Sequence, residues 1–319
     1  MKRAVAQFAM HIENDLFALH AELRSGSYRH GPYEQFIVHD PKRRWINKAS
    51  VRDRIVHQAI VQVIEPIFER TFIFDSYSSR IGKGTHACRE RMAQFLRQAS
   101  ANNRQNAWVL QCDIRRFFDS VQHDALLTLL AERVRNPKLS ALLEIVVRSF
   151  TPIAGAGRGL PLGNVTSQLF GNVYLNGLDH FVKERLRMRW YVRFCDDFII
   201  VHRNRIELED ALPRIRTFLA DERSLELHPS KVTIRKYSYG IDCVGQVLRS
   251  QVRTLRRATI RRAFRLIRLR TEDYRMGRLS DSQYRSTLQS LLGLCAHGSN
   301  NRMRQRMREI VWRMLRTWK

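Results

Sequence analysis

Residues 190–203 read WYVRFCDDFIIVHR, and the pair Asp196-Asp197 sits at the middle of an otherwise apolar stretch. Phe194-Cys195 before it and Phe198-Ile199-Ile200 after it have the composition of a protein core. The pattern predicts strand, tight turn, strand, with both acids at the turn. Adjacent carboxylates in such surroundings are costly unless something positive neutralises them, and each raises the pKa of the other. An acidic surface turn is the bland alternative, and the core-like flanks argue against it.

A second segment, VLQCDIRRFFDS at 109–120, delivers another acid to a strand end. Asp113 closes an apolar run and is followed by Phe117 and Phe118. Successive strand residues face opposite ways, so in a regular strand only one of Asp196 and Asp197 would face Asp113. A turn at the pair relaxes that limit. Three converging carboxylates suit hard divalent cations, and two such ions ~4 Å apart clamp both oxygens of an in-line displacement.

The charge balance agrees. The 319 residues carry 56 Lys and Arg against 30 Asp and Glu, a net of +26. Arg dominates, and its planar fork suits phosphate; so basic a chain expects a polyanionic partner. The 44% hydrophobic content fits a folded protein. No apolar run reaches the ~20 residues a bilayer requires, and His11, Glu13 and Asp15 interrupt what would be a signal-peptide core. The expectation is a soluble, cytoplasmic protein with no membrane association. Five cysteines (88, 112, 195, 243, 295) without a CxxC pair argue against a zinc site or a disulfide framework.

Along the chain, a helix and a Gly/Pro/Tyr-rich connection fill the first forty residues. A helix is predicted to start at Ser50, with Ile55, Ala59, Ile60, Val63 and Ile67 at helical spacing. Another follows around 85–99. From 107 on, strands alternate with helices around a small sheet: AWVLQCDI as strand, DALLTLLAERV as helix, GLPLGN as a turn feeding a long apolar helix, a helix near 207–220, then the strand-like KVTIRKYSYGIDCVGQVL. Residues 249–319 hold 19 Lys/Arg and four Asp/Glu, a net +15, with apolar residues in helical clusters. They read as a basic helical bundle laid against a polyanion.

On these residues the chain resembles reverse transcriptases over most of its length. DIRRFF is similar to that family's first acidic motif and FCDD to its YxDD box; RRWINKASVRDRIVHQAI and SYSSRIGKGTHAC resemble its fingers motifs. The resemblance implies an α+β, right-hand polymerase fold, with fingers and a palm built on a small antiparallel sheet, plus a C-terminal helical thumb. The N-terminal segment and fingers would occupy 1–106, the palm 107–248 (including the 151–190 turn and helix), and the basic thumb 249–319. It implies an RNA-directed DNA polymerase that makes cDNA from template RNA, a primer and dNTPs, with two Mg²⁺ ions on Asp113, Asp196 and Asp197. By the same resemblance Phe118 is the aromatic gate against a ribose 2′ hydroxyl, and Arg80 and Lys83 meet the incoming triphosphate, a fingers salt bridge being the other role open to Arg80. Lys231, in LELHPSKVTI, approaches the leaving pyrophosphate either as proton donor or as phosphate contact.

One box departs from the general QGxxxSP pattern. Leu162 stands where Gln is usual and Gln168 where Pro is usual, in Leu162-Gly163-Asn164-Val165-Thr166-Ser167-Gln168. This form resembles reverse transcriptases of diversity-generating retroelements, which implies error-prone copying at template adenines (mutagenic retrohoming) and a small helical accessory protein as partner. Gln can hydrogen-bond the nascent pair whereas Leu can only pack, a difference of ~1–3 kcal/mol; alternatively Leu162 packs and fidelity is ordinary. A retron-like or phage-defence reverse transcriptase of ordinary fidelity is the alternative, although the VTG signature of retrons is missing. Group II intron enzymes carry a longer maturase region than a chain that stops after its thumb. A catalytically inactive RNA-binding protein is the third reading, and it has no need of buried acids.

Overall fold

The computed structural model describes residues 3–39, 43–152, 156–250, 252–295 and 300–316. Short pieces of the expected basic segment (40–42), the 151–190 region (153–155) and the basic terminus (251, 296–299, 317–319) lie outside them. The chain divides into two compact units, residues 1–88 with 110–234, and residues 89–109 with 235–319.

The first unit opens with α1 (Arg3–Met10) and α2 (Ile12–Ser25), then the antiparallel hairpin β1 (Glu34–Val38) and β2 (Arg44–Lys48). Ser50 caps α3 (Val51–Glu69) as its sequence position predicts, its Oγ accepting from the Asp53 N–H at 3.1 Å. The expected face of α3 needs correction. Ile60 is buried, but Val63 and Ile67 are exposed, and the covered stripe is Val56, Ile60, Ile64 and Phe68 with Asp53, His57 and Val61. Apolar spacing alone does not distinguish these overlapping stripes; the polar pair Asp53 and His57 defines the covered one. Tyr28 OH donates to Asp53 at 2.8 Å, and Asp53 also accepts from Ser50 Oγ and Gly31 N.

His57 sits in the same network, its Nε2 3.0 Å from His30 Nε2 and its Nδ1 3.1 Å from Thr166 Oγ1. Burial first, then the His30 charge, push its pKa down to about 4. The unfolded chain therefore binds more protons between the ordinary histidine value and about 4, so stability present at neutral pH is lost as pH falls through that window. The loss amounts to on the order of 3 kcal/mol. Chemical denaturation between pH 7 and 4 should show this slope in the wild type and a shallower one in His57→Gln; parallel slopes would remove the explanation.

After α4 (Thr85–Ala99), β3 (Trp108–Asp113) enters the first unit and leads to α5 (Phe117–Ser120), α6 (His123–Ala131) and α7 (Pro137–Arg148). The helix α7 is capped by Asn136 with Pro137 at its first position, a start signal the sequence reading passed over. The long apolar helix is α8 (Val165–His180), prolonged by a π-helical turn, Phe181–Arg185. Antiparallel strands β4 (Trp190–Phe194) and β5 (Asp197–His202) follow, then α9 (Arg205–Arg223) and β6 (Thr233–Lys236). The sheet order is β4-β5-β3-β6, which sets the carboxylate turn beside the strand that ends at Asp113.

The second unit contains an antiparallel sheet of β7 (Ile241–Cys243), β8 (Gln246–Leu248) and β9 (Arg253–Leu255). Helices α10 (Arg257–Arg275), α11 (Asp281–Leu294) and α12 (Asn301–Arg316) pack on a small core of Ala263, Ile267, Leu291, Cys295 and Met307. Ser280 and Gln283 form a capping box at the start of α11. None of the described helices is long and apolar enough to cross a membrane.

Candidate active site

The register Phe194↔Asp197 leaves Cys195 and Asp196 as a two-residue hairpin loop. Such loops need a positive φ at the first central position, and Cys195 supplies it at 59° although it is not glycine. The Ile114 N–H donates to Asp196 O at 3.2 Å, which holds the end of β3 against the turn. Asp113, Asp196 and Asp197 thus come together at the ends of adjoining strands. Asp113 and Asp197 share a hydrogen bond, and the Asp113 charge also acts on Asp196.

The electrostatics of this cluster are unbalanced. Asp197 lies on the open side of the turn, yet the protein packed round its carboxyl withholds enough water to raise its pKa. With the Asp196 charge and the hydrogen bond to Asp113, it is pushed up to about 7. Burial raises Asp196 too, followed by the Asp113 charge, while Arg44 acts the other way. Lys231 Nζ donates to both oxygens of Asp113 at 2.7 Å, a resident cation on the cluster. Three converging carboxylates, two of them with raised pKa, form a donor set that fits a hard divalent cation. With Asp113 turned to Lys231, the described residues contain no ready-made cage of three or more His, Cys, Asp or Glu.

Beside the acids lies a cavity of about 460 Å³. Phe118, Leu162, Gly163 and Gln168 line it, together with Asp196 and Asp197. Leu162 is fixed through its carbonyl, which accepts from Asn47 N at 2.9 Å, and it also lines a second cavity with Trp45 and Phe150. The Asn164 side chain spans the same two segments, donating to Asn47 O and accepting from Ala49 N. Gly163 takes a φ of 112°, and a Cβ there would lie 2.7 Å from an Ile46 methyl. Ser167 Oγ lines the first cavity and is buried with no hydrogen-bond partner among the described residues.

The two expected triphosphate contacts are placed differently. Arg80 is not on this cavity: its guanidinium grips Glu69 through three contacts and donates to the carbonyls of Ile73 and Ser76, its side chain only 5% exposed. It makes the fingers salt bridge that was the other role open to it, with acceptors in its own loop and in α3. Lys83 also lies off the cavity, its ammonium bonded to Phe74 O and resting on the Phe74 ring. The cations that do line it are Arg44 and Arg116, which sequence reasoning missed. Arg116 lies three residues past Asp113 at a left-handed φ of 45°, and Arg44 belongs to the basic RRW run. Proximity to the first acid was the signal available for Arg116.

Residues 39–248 match the family described as "Reverse transcriptase (RNA-dependent DNA polymerase)". The protein YkfC of Escherichia coli K12 is 26% identical over 272 residues, covering 73% of this chain and 71% of that protein. The group II intron-encoded protein LtrA of Lactococcus lactis is 23% identical over 175 residues, 53% of this chain and 28% of LtrA. Among solved structures, apo telomerase from Candida tropicalis, truncated from its C-terminal domain, superimposes with a TM-score of 0.53 at 12% identity, covering 75% of this chain and 59% of that one. The chain therefore has the polymerase fold and spans between about a quarter and three-quarters of these proteins.

Proposed function

Because this chain belongs to the reverse transcriptase (RNA-dependent DNA polymerase) family, we propose that it extends a DNA primer on an RNA template, using Asp113, Asp196 and Asp197 to hold two Mg²⁺ ions. The observation that carries this reading is the convergence of those three acids beside a cavity lined by Arg44 and Arg116. Bound there, the cations supply charge neutralisation for the attacking hydroxyl and the departing pyrophosphate. The protein's own groups do the rest. Arg44 and Arg116 bind the triphosphate, Phe118 stacks beneath the sugar, and Lys231 turns from Asp113 to the pyrophosphate. The fingers take residues 1–106, the palm 107–248 and the thumb 249–319, whose Arg-rich helices hold the duplex by its phosphates.

Within the family, LGNVTSQ supports a mutagenic enzyme of a diversity-generating retroelement, served by a small helical accessory protein and the element's template RNA. Leu162 lines the cavity where a polar side chain would check the new pair. Leu162→Gln is therefore expected to lower misincorporation opposite template adenine by about tenfold, the worth of one hydrogen bond, measured by sequencing cDNA made on a defined RNA. An unchanged error spectrum would leave Leu162 as packing only. The similarity to LtrA favours a second reading, an enzyme of ordinary fidelity acting on intron RNA. Primer extension with purified protein, RNA template and Mg²⁺ tests the common part, and no extension on any primed RNA would sink it.

A further inference from the structure

Arg193 is a charged residue in the middle of β4, fully buried at 0% exposure. Its Nε and Nη2 donate to the two oxygens of Asp179, each at 2.7 Å. Asp179 is also fully buried and accepts from Tyr191 OH at 2.6 Å. That pairing neutralises the charge, but a guanidinium buried this deeply must also satisfy its other N–H groups. Its remaining nitrogen, Nη1, finds both its acceptors in the site, Cys195 O at 3.0 Å and Asn172 Oδ1 at 3.1 Å.

Both residues line the cavity. Cys195 is the left-handed residue that turns the chain into Asp196. Asn172 passes the contact on, its Nδ2 donating to Ser78 O at 2.9 Å. The backbone of Arg193 holds the same loop, its N–H donating to Asp75 O at 3.0 Å and its carbonyl accepting from Tyr77 N at 2.9 Å. Arg80 closes the loop from the far end through Ser76 O. Ser78, Ser79 and Asn172 line the cavity, as does Phe118.

We propose that Arg193 is a positioning residue that fixes the carboxylate turn and the 75–80 loop as one body, so that the acids and the nucleotide's wall keep a single spacing. This rests on the reading of Asp113, Asp196 and Asp197 given above. The guanidinium fork is required because a single ammonium can meet Asp179 or the turn, not both together with Asn172.

Two variants test it in steady-state primer extension beside the wild type, each checked for a cooperative melt. Arg193→Lys keeps a positive charge on Asp179 and gives up the hold on Cys195. Its kcat is expected to fall about 100-fold, the cost of a small misplacement of reacting groups, and the Mg²⁺ concentration for half-maximal rate to rise. Asn172→Ala leaves the ion pair intact and frees Ser78; KM for dNTP is expected to rise about tenfold, the worth of one hydrogen bond, with kcat little changed. Kinetic constants and Mg²⁺ dependence equal to wild type in both variants would overturn the assignment. So would an activity loss that only follows the folded fraction. Should Arg193→Lys fail to fold, Asn172→Ala decides alone, and an unchanged KM overturns the assignment. A wild type that cannot extend a primer removes the polymerase reading itself, whereas an active wild type with unaffected variants removes only the role given to Arg193.

Discussion

Asp197→Asn is expected to abolish primer extension, by on the order of 10³-fold or more, while leaving the protein at least as stable and its RNA affinity intact. The three outcomes have one cause. Asp197 is forced into the company of Asp196 and Asp113, and its carboxyl is pushed up to about 7 by burial and then by those neighbours. A raised carboxyl pKa means the folded state disfavours the charge, so above the ordinary carboxylate value this group opposes folding. Asparagine keeps the shape and removes the charge. The melting temperature is therefore expected to stay or rise at pH 7, with the gain vanishing below the ordinary carboxylate range. Activity moves the other way, because the amide gives a divalent cation no negative charge. RNA binding depends on the chain's excess of Arg over acids and is expected to hold, with its steep salt dependence unaltered. Filter binding, a thermal melt and an extension assay read all three. An Asn variant that extends primers as well as the wild type would place the chemistry elsewhere.

Phe118→Ala is expected to open the enzyme to ribonucleotides, narrowing the preference for dNTP over rNTP by roughly 100-fold. The ring lines the cavity and is held by its surroundings: Phe117 meets it edge-on at 5.1 Å between centroids. Its carbonyl accepts from Leu160 N at 2.7 Å. Gly171 gives the pair room, since a Cβ there would lie 3.1 Å from Phe117 and 3.8 Å from Phe118. On the proposed reading, a ring so fixed would exclude an added hydroxyl by clash rather than by any hydrogen bond. Its removal should raise kcat/KM for rNTP with little change for dNTP. A matching fall for both nucleotides would mean that the ring serves only packing.

The sequence disclosed much of this arrangement because its chemistry is local. An acid pair inside an apolar hairpin, an acid closing a strand, and a turn feeding a long apolar helix each carry their signal within a dozen residues. Asp113, Asp196 and Asp197 could be placed that way, while Phe118, Leu162, Gly163 and Gln168 came from the family resemblance; all but Asp113 line one cavity, and Asp113 adjoins the pair through the end of its strand. What escaped depends on which partner a buried polar group finds, and residue pattern alone does not name it. Arg80 was expected at a triphosphate, but Glu69 and two carbonyls of its own loop claim it. The stripe on α3 was misread because Asp53 and His57, polar by type, are buried against Tyr28, His30 and Thr166. Arg193 was visible as a lone charge in WYVRF, yet its partner Asp179 lies 14 residues back.

The backbone around Leu162 separates what can vary from what cannot. Gly163 is held in a conformation open to glycine and crowded by Ile46, and Asn164 is bonded on both sides to the neighbouring strand. Among the described residues Leu162 is hydrogen-bonded through its carbonyl, so the bonds that hold the scaffold do not depend on its side chain. If Leu162 sets fidelity as proposed, copying accuracy would rest on one interchangeable tooth in a rigid comb. A lineage could make its polymerase sloppier or stricter by changing a single codon, without refolding anything around it.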